Sequence, residues 1–222
     1  MVNVAGASYN DPSQGTRGGS IILPSRFLSI LIYFSIIFCG CTQKDIFKKR
    51  DIQSIKKMLS DSPRNQALFT IGINTNLRAS DLLNIKAGQV RDLKPGDSIQ
   101  IKEKKTGKFR VVTLNKACIQ AIQKLLASSL YNDNDPLFVG QRGPLTVPSV
   151  HRLVKSWCRA INLRGNYGSH SMRKTWGYHQ RVTFGTDIPR LMVCFNHSTQ
   201  RQTLEYLCIQ ADEIRNVYEN EL

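Results

Sequence analysis

The hydrophobic pattern of this chain changes period once, and that change limits the folds open to it. Between residues 98 and 114 apolar side chains alternate with polar ones, first at Ile99 and Ile101 and then at Phe109 and Val111, around a Lys-Thr-Gly-Lys turn. Alternation on both sides of a glycine-containing turn predicts a β-hairpin. The rest of the chain after residue 43 is mainly helical in its apolar spacing. One small sheet among helices indicates a mostly helical α+β domain.

Helix-capping residues mark the helices around this hairpin. Asp51 is predicted to cap a first helix, Ser62 a second that begins at Pro63, and Asn115 the helix after the hairpin. Their side-chain oxygens can accept hydrogen bonds from free backbone N–H groups, and Pro fits a first turn because it has no N–H to lose. Further helices are predicted over residues 78–85, 148–161, 170–183, 187–195 and 198–207.

The chain is strongly basic, and its charge is unevenly distributed. Lys and Arg number 31 against 16 Asp and Glu, a formal charge of +15 at pH 7. Residues 1–43 contribute +1 and the last twelve residues −3, which leaves +17 on residues 44–210. A basic body of this kind indicates a polyanionic partner, most simply nucleic acid. A solvated basic surface is the alternative that charge alone leaves open.

The first 43 residues differ from the rest. Residues 1–26 are rich in Gly, Ser and Asn, which predicts disorder, and Phe27–Cys39 is an apolar run of thirteen residues. As a helix this run would reach about 20 Å, less than the roughly 30 Å of a bilayer core. We interpret residues 1–43 as an extension outside the domain, without membrane contact. A secretion signal that ends near Cys41 is the alternative.

The six cysteines include no C-x-x-C pair. They are therefore predicted to be free thiols in a reducing cytoplasm, where we expect the protein to be located. A zinc site joining Cys194 to His170, His179 or His197 is an alternative without a recognised ligand spacing. No metal or other cofactor is predicted.

Six residues in the last two-thirds of the chain have the order and spacing of one active site. They stand in the strings NLRASDLL, KKTGKFRVV, GSHSMRK and FNHSTQRQTLEYL, and they are Arg78, Lys105, His170, Arg173, His197 and Tyr206. Guanidinium groups can hold phosphate oxygens bidentately, His and Lys can move protons, and a phenol can act as a nucleophile. Without a carboxylate among them, these side chains can grip and attack a phosphodiester without metal.

Each of these residues also has an ordinary structural explanation. Arg78 could simply pair with Asp81, and Lys105 is a turn lysine with other lysines nearby. Tyr206 could belong to a core or an interface, and Tyr218 is a competing nucleophile. The combination, rather than any single motif, favours a common site.

Together the motifs resemble the catalytic signature of the tyrosine recombinases, the phage integrase family. The resemblance runs from about Ile52 to Tyr206. It rests on the G-x-x-x-x-x-R-x-S-D-L string that ends at Leu82, the K-T-G-K hairpin, the S-H-x-x-R-K-T string, and the nine-residue step from His197 to Tyr206. The family usually has Gly before this last histidine, where Asn196 stands here. Asn tolerates left-handed backbone, so the turn is expected to survive.

The resemblance implies a reaction and a role for each residue. Arg78 and Arg173 would clamp the scissile phosphate, and Lys105 would protonate the departing 5′ oxygen. Tyr206 would form a 3′-phosphotyrosine bond. His170 would accept the phenol proton or orient the phenol. His197 is expected at a helix N-terminus capped by Ser198, which is a natural anion site. The implied function is site-specific recombination or integration of double-stranded DNA by a homo-oligomer.

The resemblance also divides the chain. Residues 44–210 would form the catalytic domain, and residues 211–222 an acidic tail helix that docks on a neighbouring protomer. Most family members place an all-helical clamp domain before the catalytic one. Its absence from this sequence implies an accessory protein in its place. A truncated or non-catalytic DNA-binding remnant, a type IB topoisomerase and an exported or membrane-anchored protein are the alternatives.

Overall fold

The computed structural model describes residues 46–207, together with residues 209, 215 and 217–221. The apolar run Phe27–Cys39 and the rest of residues 1–43 lie outside the described residues, as does much of the predicted tail helix. Across the described part of the chain, no helix is long and apolar enough to cross a membrane.

Helices dominate the fold, as the sequence predicts, and they surround two antiparallel two-stranded sheets. The first sheet pairs β1 (Ser98–Lys102) with β2 (Phe109–Thr113), and the second pairs β3 (Val139–Gly140) with β4 (Gly143–Pro144). The helices are α1 Lys49–Met58, α2 Pro63–Asn74, α3 Ala79–Leu82, α4 Lys116–Ala127, α5 Val147–Ala160, α6 Ser169–Val182, α7 Ile188–Phe195 and α8 Gln200–Leu207. The mostly helical α+β class is confirmed, and the small β3–β4 sheet is an addition.

Several caps lie where the sequence predicts them. Pro63 begins α2 directly after Ser62. The Asn115 side chain accepts the Cys118 N–H at 3.0 Å. At the start of α7, Asp187 accepts the Arg190 N–H at 2.7 Å.

Two cap predictions are wrong. The first helix begins at Lys49, so Asp51 lies inside it and its carboxylate reaches back to accept the Lys48 N–H at 3.1 Å. An acidic residue in the first turn can thus satisfy the preceding N–H without being the cap. The last helix begins at Gln200 rather than after Ser198. The Thr199 hydroxyl accepts the Gln202 N–H there, at 3.4 Å.

The hairpin is confirmed, but the apolar residues that predict its second strand face outward. Ile101 pairs with Arg110 and Ile99 with Val112, and these four positions turn toward the protein. Phe109 and Val111 are exposed instead. The inward row of β1 continues past its end to Glu103, which is buried. Because side chains alternate in a strand, Glu103 and Arg110 are thereby carried to the inner face of the hairpin.

Helix α2 is the centre of the core because it is apolar on most sides, and it packs against α4 and α6. Its Phe69 ring makes edge contacts with Phe47 and Trp157 at centroid distances of 5.6 and 5.8 Å. A second, smaller cluster of Leu191, Phe195 and Leu207 joins α7 and α8, and Trp176 of α6 packs against it. The last two helices are therefore attached to α6.

Candidate active site

Arg173, in the second turn of α6, is the centre of the site. Arg173 is only 1% exposed, and arginines are rarely buried to this degree unless they have specific partners. Its Nη1 donates to the carbonyl oxygen of Asn76 and its Nη2 to that of Phe195 at 2.9 Å. The guanidinium carbon lies 5.0 Å from the Phe195 ring centroid and 5.5 Å from that of Tyr206. Arg173 therefore joins the turn after α2 to the end of α7 and to α8.

Two left-handed asparagines shape the turns that Arg173 joins. Asn76 and Asn196 both have φ of 55°. Asn is one of the few residues other than Gly that adopts this conformation readily, so the expectation that Asn196 preserves its turn is confirmed. The side-chain amide of Asn76 also donates to the Cys194 carbonyl at 2.9 Å. The chain segments before Arg78 and before His197 are thereby held together.

Arg78 follows the first of these turns, and two carboxylates face it. Its Nη1 lies 3.0 Å from Glu103 Oε2 and 3.8 Å from Asp81 Oδ2. The Asp81 pairing that the sequence leaves open does occur, but Glu103 is closer. Glu103 also lies 3.6 Å from Arg110 Nη1. A carboxylate and a third arginine are thus present at a site for which the sequence argument names only cations, histidines and a tyrosine.

The charged groups of this cluster shift one another's pKa values. Burial alone would raise the pKa of Glu103, but the Thr106 hydrogen bond and the Arg78 charge outweigh it and lower the pKa. Burial, together with the charges of Arg78 and Arg110, lowers the pKa of Arg173 to about 10. Arg173 still carries its charge at pH 7. The cluster therefore holds three guanidinium groups next to one ionised Glu103.

His197 and Tyr206 lie close to each other beside Phe195, and the Tyr206 ring is also close to Arg173. The His197 ring stacks on Phe195 at 5.0 Å between centroids and lies 5.3 Å from the Tyr206 ring. Its Nδ1 is 3.1 Å from the Thr203 hydroxyl. Burial, and then the charges of Arg173 and Arg78, lower the pKa of His197 to about 4. His197 is therefore neutral at pH 7.

His170 is in the first turn of α6 and remains exposed. Partial burial of its ring lowers its pKa, and the charges of Lys174, Arg173 and Arg78 lower it further. Lys105 is at the exposed tip of the hairpin turn. Among the described residues it makes no hydrogen bond or ion pair, so the structure does not join its ammonium to the other five predicted residues.

Unsatisfied polar atoms concentrate at this site. Buried polar atoms in proteins nearly always have hydrogen-bond partners. Within the described residues, several atoms of the cluster have none, namely Asn76 Oδ1, Arg78 Nη1, Asp81 Oδ2, Glu103 Oε1 and Arg173 Nε. Arg78 Nη1 nevertheless forms the 3.0 Å ion pair with Glu103. The unused Nε donor of Arg173, close to the charge of Arg78, indicates a site that a bound anion would complete.

No metal centre is evident in the part of the chain that the structure describes. Groups of three or more His, Cys, Asp or Glu side chains close enough to share an ion are absent there. Cys194 is exposed, and its carbonyl rather than its thiol contacts Asn76.

The unfolding free energy should fall between pH 6.5 and about 4 because of His197. The pKa of this histidine is about 4 in the folded protein, and it should return to about 6.5 on unfolding, so the unfolded chain binds more protons in that window. The stabilisation is complete above pH 6.5 and is lost as the pH falls toward 4. A shift of this size corresponds to about 3.4 kcal/mol, which partial exposure reduces to about 1 kcal/mol. Urea unfolding at pH 7 and at pH 4.5 measures how much unfolding free energy is lost between the two. This loss should be smaller in His197→Gln than in the unaltered protein, and an equal loss in both would contradict the assignment.

Sequence comparisons identify the family. Residues 46–213 match the model of the phage integrase family. The chain is 33% identical over 172 residues to the probable integrase/recombinase YoeC of Bacillus subtilis, over 75% of this chain and 90% of that protein. It is 29% identical over 174 residues to tyrosine recombinase XerC of Caldanaerobacter subterraneus, over 74% of this chain but only 48% of that one. The chain belongs to the phage integrase family, the tyrosine recombinases.

The fold agrees with this assignment. The XerA recombinase superimposes with a TM-score of 0.65 at 20% identity, over 78% of this chain and 62% of that one. The XerH recombinase, in a post-cleavage complex with its palindromic difH substrate, gives the same TM-score and identity over 79% and 52%. At this level of identity the likeness establishes the fold alone. The chain spans about half the length of the XerC and XerH proteins that it matches.

Proposed function

We propose that this chain is the catalytic domain of an enzyme that cuts and rejoins DNA during site-specific recombination or integration. The observation that carries the proposal is the position of Arg173, buried beneath the rings of Tyr206 and Phe195, with His197 stacked on that same Phe195. Arg78 lies in the same cluster, where its Nη1 forms an ion pair with Glu103. A nucleophile, two arginines and neutral histidines beside one another suit attack on a phosphodiester.

In the proposed reaction the scissile phosphate binds at Arg78 and Arg173. The Tyr206 oxygen attacks phosphorus, and the bond from phosphorus to the 5′ oxygen breaks. Lys105 supplies the proton that leaves with this oxygen, and His170 accepts the phenol proton. The products are a 3′-phosphotyrosine and a free 5′-OH. A phenolate is a good leaving group, so the 5′-OH of a second strand can reverse the reaction and join the DNA.

The histidine pKa values support these roles. His170 has a lowered pKa, so at pH 7 it is neutral and able to accept a proton. His197 is also neutral, and its Nδ1 is engaged with Thr203. It would therefore contact the phosphate as a neutral hydrogen-bond partner rather than as a cation.

Double-stranded DNA is the proposed partner. The matching structures include XerH with difH, the Tn1549 integrase with circular intermediate DNA and a lambda integrase dimer on a core site. The +17 charge of residues 44–210 agrees with such a partner. We further propose that the chain assembles as a homo-oligomer on DNA, through docking of its tail on a neighbouring protomer, and that an accessory protein supplies a clamp domain. A DNA substrate would also place the enzyme in the cytoplasm.

DNA affinity should fall steeply with salt. For six or more phosphate contacts, counterion release predicts a loss of about 10³-fold or more between 50 and 200 mM salt. Fluorescence anisotropy with duplex DNA, titrated at several salt concentrations, gives the slope directly. A flat response would contradict nucleic acid as the partner.

Trapping of a covalent complex tests the function itself. A nicked DNA duplex loses a short fragment after cleavage, so the phosphotyrosine cannot be religated and the adduct accumulates. We expect an adduct on a denaturing gel. DNA binding without any adduct would instead support the non-catalytic remnant that the sequence leaves as an alternative.

A further inference from the structure

Glu103 closes the hairpin turn that carries Lys105. Its carboxylate accepts a hydrogen bond from the Thr106 hydroxyl at 2.7 Å. Its backbone N–H donates to the Lys108 carbonyl at 2.9 Å, and its carbonyl accepts from the Gly107 N–H at 2.8 Å. Three contacts from one residue thus fix both ends of the turn around Lys105, whose side chain makes no hydrogen bond or ion pair with the residues that the structure describes.

The same carboxylate ties this turn to the rest of the site. It lies 3.0 Å from Arg78 and 3.6 Å from Arg110, and Glu103 Oε2 accepts a hydrogen bond from the Asn196 side-chain amide at 3.2 Å. Asn196 directly precedes His197. One buried group therefore connects the lysine turn, the first phosphate-clamp arginine and the turn before His197.

A second hydrogen bond also joins the hairpin to the Arg78 segment. The backbone N–H of Lys104 donates to Asp81 Oδ1 at 2.9 Å, and Asp81 is in the α3 helix that follows Arg78. The residues on both sides of the Glu103–Lys104 peptide are thus held against the Arg78 segment. The turn beyond them extends only over residues 105–108 and is hydrogen-bonded back to Glu103, so a displacement of Glu103 would be transmitted to Lys105 directly.

We propose that Glu103 is a positioning residue that holds the Lys105 turn at the Arg78 side of the site, so that Lys105 can protonate the leaving 5′ oxygen. The proposal rests on the proposed function, and it assigns Glu103 no contact with DNA. An amide in its place would keep the shape of the side chain. It would lose the negative charge that attracts Arg78 and Arg110, and its NH2 group would face donors.

The experiment compares two DNA substrates in single-turnover cleavage by the full chain. One carries the ordinary 5′ oxygen at the scissile position, and the other carries a bridging 5′ sulfur. A thiolate departs without protonation, so the sulfur substrate does not need a general acid. Glu103→Gln should slow cleavage of the oxygen substrate about 10- to 100-fold, within the range of a general-acid contribution. On the sulfur substrate its rate should stay within about threefold of the unaltered protein.

Control variants separate this proposal from the function on which it rests. Lys105→Ala should show the same selective rescue by sulfur; without it, Lys105 is not the acid and the proposed reaction fails. If Lys105→Ala is rescued but Glu103→Gln is equally slow on both substrates, Glu103 does not position the acid and the present proposal is overturned. On the sulfur substrate, the cleavage rate of Glu103→Gln should depend on pH as it does in the unaltered protein. On the oxygen substrate, the two pH profiles should differ.

Milder variants keep the test informative if Glu103→Gln folds poorly. Asn196→Gly retains the left-handed turn and removes only the side-chain bond to Glu103. Thr106→Val removes the hydroxyl from an exposed position, whereas Thr106→Ser keeps it. Thr106→Val should be slowed selectively on the oxygen substrate, and Thr106→Ser less so. Equal slowing on both substrates by Asn196→Gly and Thr106→Val would overturn the proposal.

Discussion

Tyr206→Phe should abolish covalent attachment to DNA and leave DNA binding nearly unchanged. The phenol oxygen is the proposed nucleophile, and without it no phosphotyrosine bond can form. The ring packs against Phe195 and His197, and phenylalanine would keep both ring contacts. Non-covalent affinity and folding should therefore survive. Suicide DNA and a denaturing gel measure attachment, and fluorescence anisotropy measures binding.

Tyr218→Phe is the matched control for this variant. Tyr218 is exposed and lies beyond the described helices of the site. Its replacement should leave the adduct unchanged. Loss of the adduct in Tyr218→Phe, or its persistence in Tyr206→Phe, would show that Tyr206 is not the nucleophile.

Arg173→Lys should lower the cleavage rate by two to three orders of magnitude, the typical effect of losing one donor to a developing anion. The guanidinium of Arg173 uses two nitrogens to hold carbonyls on separate turns and has Nε unused. An ammonium cannot reproduce this planar, forked arrangement. Arg78→Lys should act similarly, because the planar fork of a second guanidinium would be lost. Single-turnover cleavage at saturating protein gives the rates.

Stability must be measured in parallel, because Arg173 also holds the fold together. We expect Arg173→Lys to lower the melting temperature and Arg78→Lys to change it less, since Arg78 is bound by ion pairs at the edge of the site. Arg91→Lys is the control. Arg91 pairs with Asp133 on the surface and should affect neither rate nor stability strongly. Cleavage by folded Arg173→Lys within tenfold of the unaltered protein would contradict the phosphate-clamp role.

The fold class could be read from the sequence because its signals are local. A change from helical to alternating spacing, and caps such as Asn115 and Asp187, depend on neighbours within a few residues. The errors are local as well. The predicted cap Asp51 lies three residues after Lys48, which precedes the helix, and Ser198 lies one residue before Thr199. Several polar residues near a helix start can satisfy the same N–H groups.

The composition of the site could be predicted less completely. The strings around Arg78, His170 and Tyr206 name the cations, the phenol and Asp81, but none of them contains Glu103, the carboxylate closest to Arg78. Glu103 is 25 residues from Arg78 and reaches it only because β1 carries it past Ile101 on the inward face. The sequence signal for it is that Glu103 continues the alternating row of Ile99 and Ile101. Arg110 was missed for the same reason, since the outward Phe109 and Val111 drew the prediction to the wrong face.

Peptide mapping of the trapped adduct tests the central claim most directly. Trypsin cuts after Arg201 and Arg215, so Tyr206 and Tyr218 fall in separate peptides, residues 202–215 and 216–222. After nuclease digestion, mass spectrometry should find a nucleotide on peptide 202–215, with fragmentation placing it on Tyr206. A nucleotide on peptide 216–222, or on Thr203 of peptide 202–215, would contradict attack by Tyr206 and the site built around it.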